Sequence, residues 1–417
     1  MHEHRVLGEA PRDGLRVAVK GYLGGTHRMV SPEDTLRAML PHARAMGITR
    51  IATITGLDVI GIPVVAVMRP NSRSIAVAQG KGLDLVSAKI SGLMESIENF
   101  HAERICAPLV LASWEEMCER GAMIDVASLP RAAGGAFDPK ARILWIQGHE
   151  AMSSRLAWLP FEIVHTDYTM PLPAGSGAFL MSDSGVASGN HPLEATSHAI
   201  CELVERDAVT LWRFAKESER RARRVDLDTV DDSGCQVVLE RFTRARVRVA
   251  VWEVTSDVGI PAFYCSIVDQ SPSSWRPLAH AVGAGCHPCR EVALSRALTE
   301  AAQTRLTMIA GSRDDIGLAA YRRGEDRAAV VESMALFDAP VARRFSDGPT
   351  HVAATFNEDV GWELACLRKV GIEEVAIVDL TLPEYGIPVV RVVIPGLEGM
   401  HDAAGFVPGR RLRARSA

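Results

Sequence analysis

The chain has 417 residues, a formal net charge of −5 and a pI near 6.2; 47% of it is hydrophobic and 23% charged. That balance is ordinary for a globular protein and gives no electrostatic reason to expect a nucleic-acid partner. The N-terminus MHEHRVLGEAPRDG has no signal-peptide core, no apolar run approaches the roughly 20 residues of a membrane span, and eight scattered cysteines make no disulfide framework. The expectation is a cytoplasmic protein that engages neither membrane nor nucleic acid, and long enough for internal duplication.

In chain order, the first patterned stretch is ITRIATI, the turn TGLDVI, and GIPVVAV from Gly61. Two apolar runs around a turn predict a hairpin, with proline tolerated where a strand opens. The helical pattern SAKISGLMESIE, Ser87 to Glu98, follows. Residues 101–180 mix short elements, with PLPAGSGAF a loop, and about 101–175 read as a variable insert. A second helix, EATSHAICELVE, runs from Glu194 to Glu205, and KESERRARR after it reads as a solvated charge cluster. RVRVAVWEV and GIPAFYCSIV (from Gly259) predict a second hairpin, VALSRALTEAAQ (Val292 to Gln303) a third helix, and EEVAIVDL with GIPVVRVVI (from Gly386) a third hairpin. Residues 1–19 read as an N-terminal extension and the basic tail 401–417 as flexible.

The three helical segments align without gaps. Position nine is Glu95, Glu202 and Glu300; position twelve is Glu98, Glu205 and Gln303; position five is Ser91, His198 and Arg296. Each helix opposes an apolar face to an acidic or amide face, which predicts an α+β fold of repeated antiparallel hairpin-plus-helix units with converging polar faces. Like charges three or four residues apart disfavour a helix, and no lysine within these segments' acidic faces relieves them. Carboxylate pairs at i, i+3 suit Mg²⁺, which takes one or two protein carboxylates and fills its sphere with water and phosphate oxygens.

The approaches to the helices, QGKG (79–82), SGVASGN (184–190) and GAGCHPC (283–289), are glycine-rich, and helix N-termini bind anions. Neither a P-loop nor a GxGxxG after a strand occurs. Arg206 and Arg305 are candidates for bidentate phosphate contact. CHPC, Cys286 to Cys289, has redox spacing at a helix start, but no second pair exists to make a zinc site. His191 and His198 are candidate bases, each weighed against a local hydrogen-bonding role.

These motifs together resemble the YcaO family. The resemblance rests on Ser91, Glu95 and Glu98 in SxxxExxE, and on Asn190, Glu194, Glu202, Glu205, Arg206 and Asp207 in GNxxxEA and ExxERD. It rests also on Glu300, Gln303 and Arg305 in ExxQxR, and on QGKG, GSRDD (311–315) and IPVVRVVIPGLE (387–398). It covers about residues 20–400 and implies one ATP-binding catalytic domain that activates a backbone amide of a peptide. It further implies Mg²⁺ ligation by Glu95, Glu98, Glu202 and Glu205, and nucleotide contact by Ser91, Asn190, Glu194, Arg206, Gln303 and Arg305. Glu95, Glu202, Glu205 and Arg305 are the residues expected to carry catalysis, and Thr26 to Arg28 to approach phosphate.

Within the family, azoline-forming members end in a PxPxP carboxylate, whereas this chain ends LRARSA. THRMVSPEDTL and RPNSRSIAVAQGKG resemble the branch encoded beside a TfuA partner. That favours thioamide formation on a precursor peptide, with sulfide or another sulfur donor, a TfuA-like partner and a homodimer as the default assembly. The alternatives are an azoline-forming cyclodehydratase and a catalytically silent subunit that binds peptide or partner.

Overall fold

Each Gly-Ile-Pro tripeptide turns the chain into a strand that pairs back on its predecessor. Gly61, Gly259 and Gly386 have φ of +74°, +83° and +62°, the left-handed region that penalises any Cβ. The computed structural model describes residues 17–270, 280–318, 321, 334–402 and 405–416; the first sixteen residues of the expected N-terminal extension lie outside them. After helix α1 (Pro32–Ala43) come strands β1 (Arg50–Thr53), β2 (Val64–Met68) and β3 (Val77–Lys81), then α2 (Leu85–Ala102). Next are β4 (Leu109–Ala112), α3 (Trp114–Arg120), β5 (Ile143–Glu150), β6 (Arg155–Pro160), β7 (Val186–Ser188) and α4 (Pro192–Arg213). Then follow α5 (Glu217–Arg221), β8 (Val225–Asp226), α6 (Ser233–Arg244), β9 (Val247–Glu253), β10 (Ala262–Asp269), β11 (His280–Cys286) and α7 (Arg290–Ala310). The chain continues through β12 (Arg343–Arg344), α8 (Phe356–Lys369), β13 (Ala376–Asp379), β14 (Val389–Val393) and α9 (Arg410–Ser416).

Three antiparallel units result. β1, β2 and β3 carry α2, and β9, β10 and β11 carry α7. The third unit has the same strand order, β13-β14-β7, with α4 as its helix. Its third strand and helix precede its hairpin in the sequence, so this unit is a permuted copy of the others. The segment after α2 enlarges it, because β5 pairs with β13 and brings β4 and β6 into one six-stranded sheet.

The apolar helix faces make the core: Ile90, Leu93 and Ile97, then Ile200 and Val204, then Leu294 and Leu298, are all fully buried. Each such side chain contributes about 1.5–3 kcal/mol by leaving water. The glycines before the helices serve this packing. A Cβ on Gly80 of β3 would stand 2.0 Å from the Gly92 nitrogen of α2, and one on Gly285 of β11 would stand 2.1 Å from the Ala293 carbonyl oxygen of α7.

The stretch expected as a flexible basic tail includes α9, whose Leu412 is buried and whose Arg411 Nε contacts Asp207 of α4 at 2.9 Å. Glu398 accepts the Gly409 and Leu412 N–H groups at 2.7 and 2.8 Å, which satisfies donors at the helix start. A run of arginines looks solvated until a buried carboxylate elsewhere claims one of them. Among the described residues no helix is long and apolar enough to cross a membrane.

Candidate functional site

The polar faces of α2, α4 and α7 converge on a cavity of about 620 Å³. The third strand of each unit, or in the α4 unit the residue just before it, gives a backbone N–H to the ninth-position carboxylate. Gln79 N–H reaches Glu95 at 3.5 Å, Gly185 N–H reaches Glu202 at 3.2 Å, and Ala284 N–H reaches Glu300 at 3.2 Å. One local contact is thus made three times around the cavity.

The twelfth positions differ. Glu98 accepts from the N–H and hydroxyl of Ser188 at 2.9 and 2.7 Å. Glu205 pairs with Arg206 at 3.0 Å, and the same guanidinium reaches Glu202 at 3.2 Å. Gln303 donates to the Gln79 carbonyl at 2.9 Å and so stitches α7 to β3. At the fifth positions, Ser91 lines the cavity and Arg296 donates to Nε2 of His198 at 2.9 Å.

Burial makes the acidic wall reluctant to ionise. It pushes Glu95 up to about 7, and with help from Glu95 and Glu202 it pushes Glu98 up to about 8. Glu202 and Glu205 are raised for the same reason. Burial opposes the charge on Arg206 too, but Glu205 and Glu202 outweigh it and hold the guanidinium above its usual range. At Glu300, Lys81 at 2.5 Å, with Arg206, overcomes burial and brings the carboxyl below its usual range. His198 is held well below its usual range by burial and by Arg296, so it stays neutral and can accept from that guanidinium.

Cations and carboxylates line the cavity together, and Lys81 acts on Glu95 as well as on Glu205 and His198. Arg28, Lys81 and Arg296 line it near Glu205 and His198, and the Gly24–Thr26 loop, tied off by the Tyr22–Arg28 bridge, lines it beside them. Toward Glu95 and Glu202 the lining includes Asp183, with Arg313 and Asp315 paired at 2.5 Å.

Of the ten residues that the resemblance assigns to metal, nucleotide or catalysis, seven line this cavity: Ser91, Glu95, Glu98, Glu202, Glu205, Arg206 and Gln303, joined there by Thr26, Arg28 and the candidate base His198. Three do not. Arg305 is 4% exposed and bridges Asp58 at 2.8 Å and Asp269 at 3.0 Å, so it holds two chain segments together instead of lining the cavity. Glu194 accepts from Met29 N–H at 2.9 Å and from Asn190 at 3.2 Å, while Asn190 accepts from Thr35 at 3.1 Å. That pair anchors α1 and the loop bearing Arg28.

The anion sites expected at the helix starts are also revised. Asp84 takes the Ser87 N–H of α2 and His191 the Leu193 N–H of α4, while among the described residues α7 has no side-chain cap; of the three approaches, that of α2 lines the cavity most extensively, through Gln79, Lys81, Gly82, Leu83 and Ser87. Cys289 gains no thiolate character, since burial and its hydrogen bond to Glu291 push it up to about 11; its partner in CHPC, Cys286, faces Cys201.

Sequence reading passed over Arg296, Glu300, Asp183 and Arg313 as site residues. The gapless helix register was a usable signal for the first two, because it equates Glu300 with Glu95 and Glu202. GSRDD carried Arg313 without a role, and nothing local marks Asp183.

The donor set fits Mg²⁺ shared with phosphate. Among the described residues no three carboxylates close on one point as a ready-made cage; they line the wall in i, i+3 pairs on α2 and α4. Mg²⁺ commonly takes one or two protein carboxylates with phosphate oxygens and water. A pH dependence follows. A buried carboxyl with a raised native pKa stabilises the fold relative to its ionised form at low pH, and that advantage is lost as pH rises from the unfolded value of 4.5 through about 7 and 8. The metal-free protein is therefore expected to melt a few degrees lower at pH 8.5 than at pH 6 on account of these groups. Glu98→Gln should flatten that slope in thermal melts, and an unchanged slope would count against the assignment.

The comparisons agree with this architecture. The family described as YcaO cyclodehydratase, ATP- and Mg²⁺-binding, matches residues 79–398. An uncharacterised protein in the tfuA 3′ region of Rhizobium leguminosarum bv. trifolii is 38% identical over 377 residues, 89% of this chain and 88% of that relative. A protein of Methanothermobacter thermautotrophicus is 32% identical over 391 residues, 92% of this chain and 98% of its own length. A heterocyclase in complex with substrate and cofactor has a TM-score of 0.75 at 21% identity; the match covers 92% of this chain and about half, 54%, of that one. YcaO from Methanopyrus kandleri, bound with AMPPCP and Mg²⁺, has a TM-score of 0.71 at 20% identity over 94% of this chain and 99% of that one. These two likenesses are likenesses of fold. By its family match and its relatives, the chain belongs to the YcaO family.

Proposed function

We propose that this protein is an ATP- and Mg²⁺-dependent enzyme that activates a backbone amide of a ribosomally made peptide by O-phosphorylation. We assign it to the branch that replaces the amide oxygen with sulfur, acting with a TfuA-like partner; the relative in the tfuA 3′ region supports that partner. The observation that carries the reading is the cavity itself, where carboxylates from three helices are joined by Arg28, Lys81, Arg206 and Arg296.

The reaction adds a nucleophile to the amide carbonyl, moves a phosphoryl group from ATP to the resulting oxyanion, and expels that oxygen as phosphate. Glu95, Glu98, Glu202 and Glu205 would hold Mg²⁺, which neutralises charge on the phosphoryl oxygens. Arg206, fixed by Glu202 and Glu205, is preorganised against the same charge. Ser91 and Gln303 contact the nucleotide from the cavity wall, and Arg28 with Arg296 takes the phosphate chain. Glu194 and Asn190 act behind them by fixing the Arg28 loop.

Azoline formation is the second reading, favoured by the word cyclodehydratase in the family description. The test is to incubate the protein, a TfuA-like partner, ATP, Mg²⁺ and sulfide with candidate precursor peptides. A thioamide adds about 16 Da and an azoline removes about 18 Da, as displacement of the amide oxygen requires. A peptide of unchanged mass overturns both readings.

A further inference from the structure

Among the described residues, the proposed function leaves one carboxylate of the cavity lining, Asp183, with neither a partner nor a role. Asp183 lies in MSDSG, just before β7. Every other carboxylate lining the cavity is held by a backbone N–H, a hydroxyl or a cation. Among the described residues Asp183 has no side-chain hydrogen bond or ion pair, and it is exposed where it lines the cavity. Its charge acts on Glu95, Glu202, Arg206 and Arg313, and also on Arg391 and Tyr168, which places it beside the proposed metal wall.

The backbone that carries it is firmly mounted. Arg391 of β14, 4% exposed, donates to the Ser182 carbonyl at 2.8 Å. The Asp183 carbonyl accepts the Val186 N–H at 2.9 Å. A fixed, unpaired carboxylate beside the phosphoryl-transfer wall suits a proton acceptor, since such a group must be within reach of its substrate and free to take the proton.

We propose that Asp183 touches the peptide adduct and is the catalytic base that takes its proton as phosphate leaves. This rests on the function proposed above. With hydrosulfide as nucleophile, the adduct's S–H bond breaks and the proton passes to an Asp183 carboxylate oxygen. The electron pair left on sulfur forms C=S, and the C–O bond breaks with its pair leaving on phosphate. Nothing is oxidised or reduced. Arg391 is a positioning residue that fixes the loop through Ser182.

The test uses the full-length protein with its TfuA-like partner. A translated library of random peptides is the peptide probe, ³⁵S-hydrosulfide the sulfur source and Mg²⁺–AMPPCP the nucleotide probe. Asp183→Asn should bind Mg²⁺–AMPPCP within about threefold of wild type yet incorporate ³⁵S about 10²-fold more slowly, the scale of general base catalysis. Asp183→Glu, with its carboxylate restored, should recover at least about tenfold over the Asn variant, a recovery that a structural role would not produce. An Asn variant within about threefold of the wild-type rate overturns the assignment alone, as does one that loses Mg²⁺–AMPPCP. Failure of the wild type to incorporate label overturns the functional reading, and this assignment with it.

Discussion

Glu205→Gln is expected to leave a folded protein that modifies peptide about 10²- to 10³-fold more slowly, the scale for deleting one preorganised charge in a site. The substitution keeps the volume of a side chain that is 3% exposed and removes a negative charge that burial already disfavours. The ion pair of Glu205 with Arg206 is weakened at the same time, while Glu202 still holds that guanidinium, so the metal-free protein should stay folded and melt within a few degrees of wild type. The variant should instead lose stabilisation by Mg²⁺–AMPPCP, because ligand that binds only the native state stabilises it by an amount that grows with the logarithm of its affinity. Glu217→Gln is the matched control: Glu217 is an exposed partner of Arg221 on α5, where an ion pair contributes little. Equal turnover by Glu205→Gln and wild type in a single-turnover mass measurement would remove Glu205 from the metal set.

Arg305→Ala is expected to act on stability first. Arg305 is 4% exposed between Asp58, 4% exposed, and Asp269, 8% exposed. Removing one member of a buried charged group strands the others, at a cost of about 3–5 kcal/mol. That is a large part of the about 5–15 kcal/mol by which folded proteins exceed unfolded ones, so chemical denaturation should show a large loss. The fraction that remains folded should still bind Mg²⁺–AMPPCP near the wild-type affinity, since Arg305 does not line the cavity. A stable variant that has lost nucleotide binding would return Arg305 to the phosphate-contacting role its motif implies. Arg296→Ala is the informative counterpart, because that guanidinium does line the cavity and its partner there is the neutral His198.

The sequence by itself determined the parts whose causes are local. A glycine before Ile-Pro can take a left-handed φ, and three such glycines set three hairpins. Apolar residues at helical spacing select a buried face, so the opposite face must carry the carboxylates. Gapless register among three segments then places Glu95, Glu202 and Glu300 at equivalent points, and the structure gives each the same kind of backbone N–H. Only the tertiary structure decided how those faces meet and which charges they find. The third unit is closed by a hairpin lying after its own helix in the chain, an order that strand pairing allows and local pattern does not reveal. Arg305 pairs with Asp58 at a separation of 247 residues, and Glu194 with the Met29 backbone at 165. Asp183 lies in a loop with no periodicity to mark it. A side chain's face is fixed by its neighbours in sequence, but its electrostatic partner is fixed by whichever distant segment packs against that face.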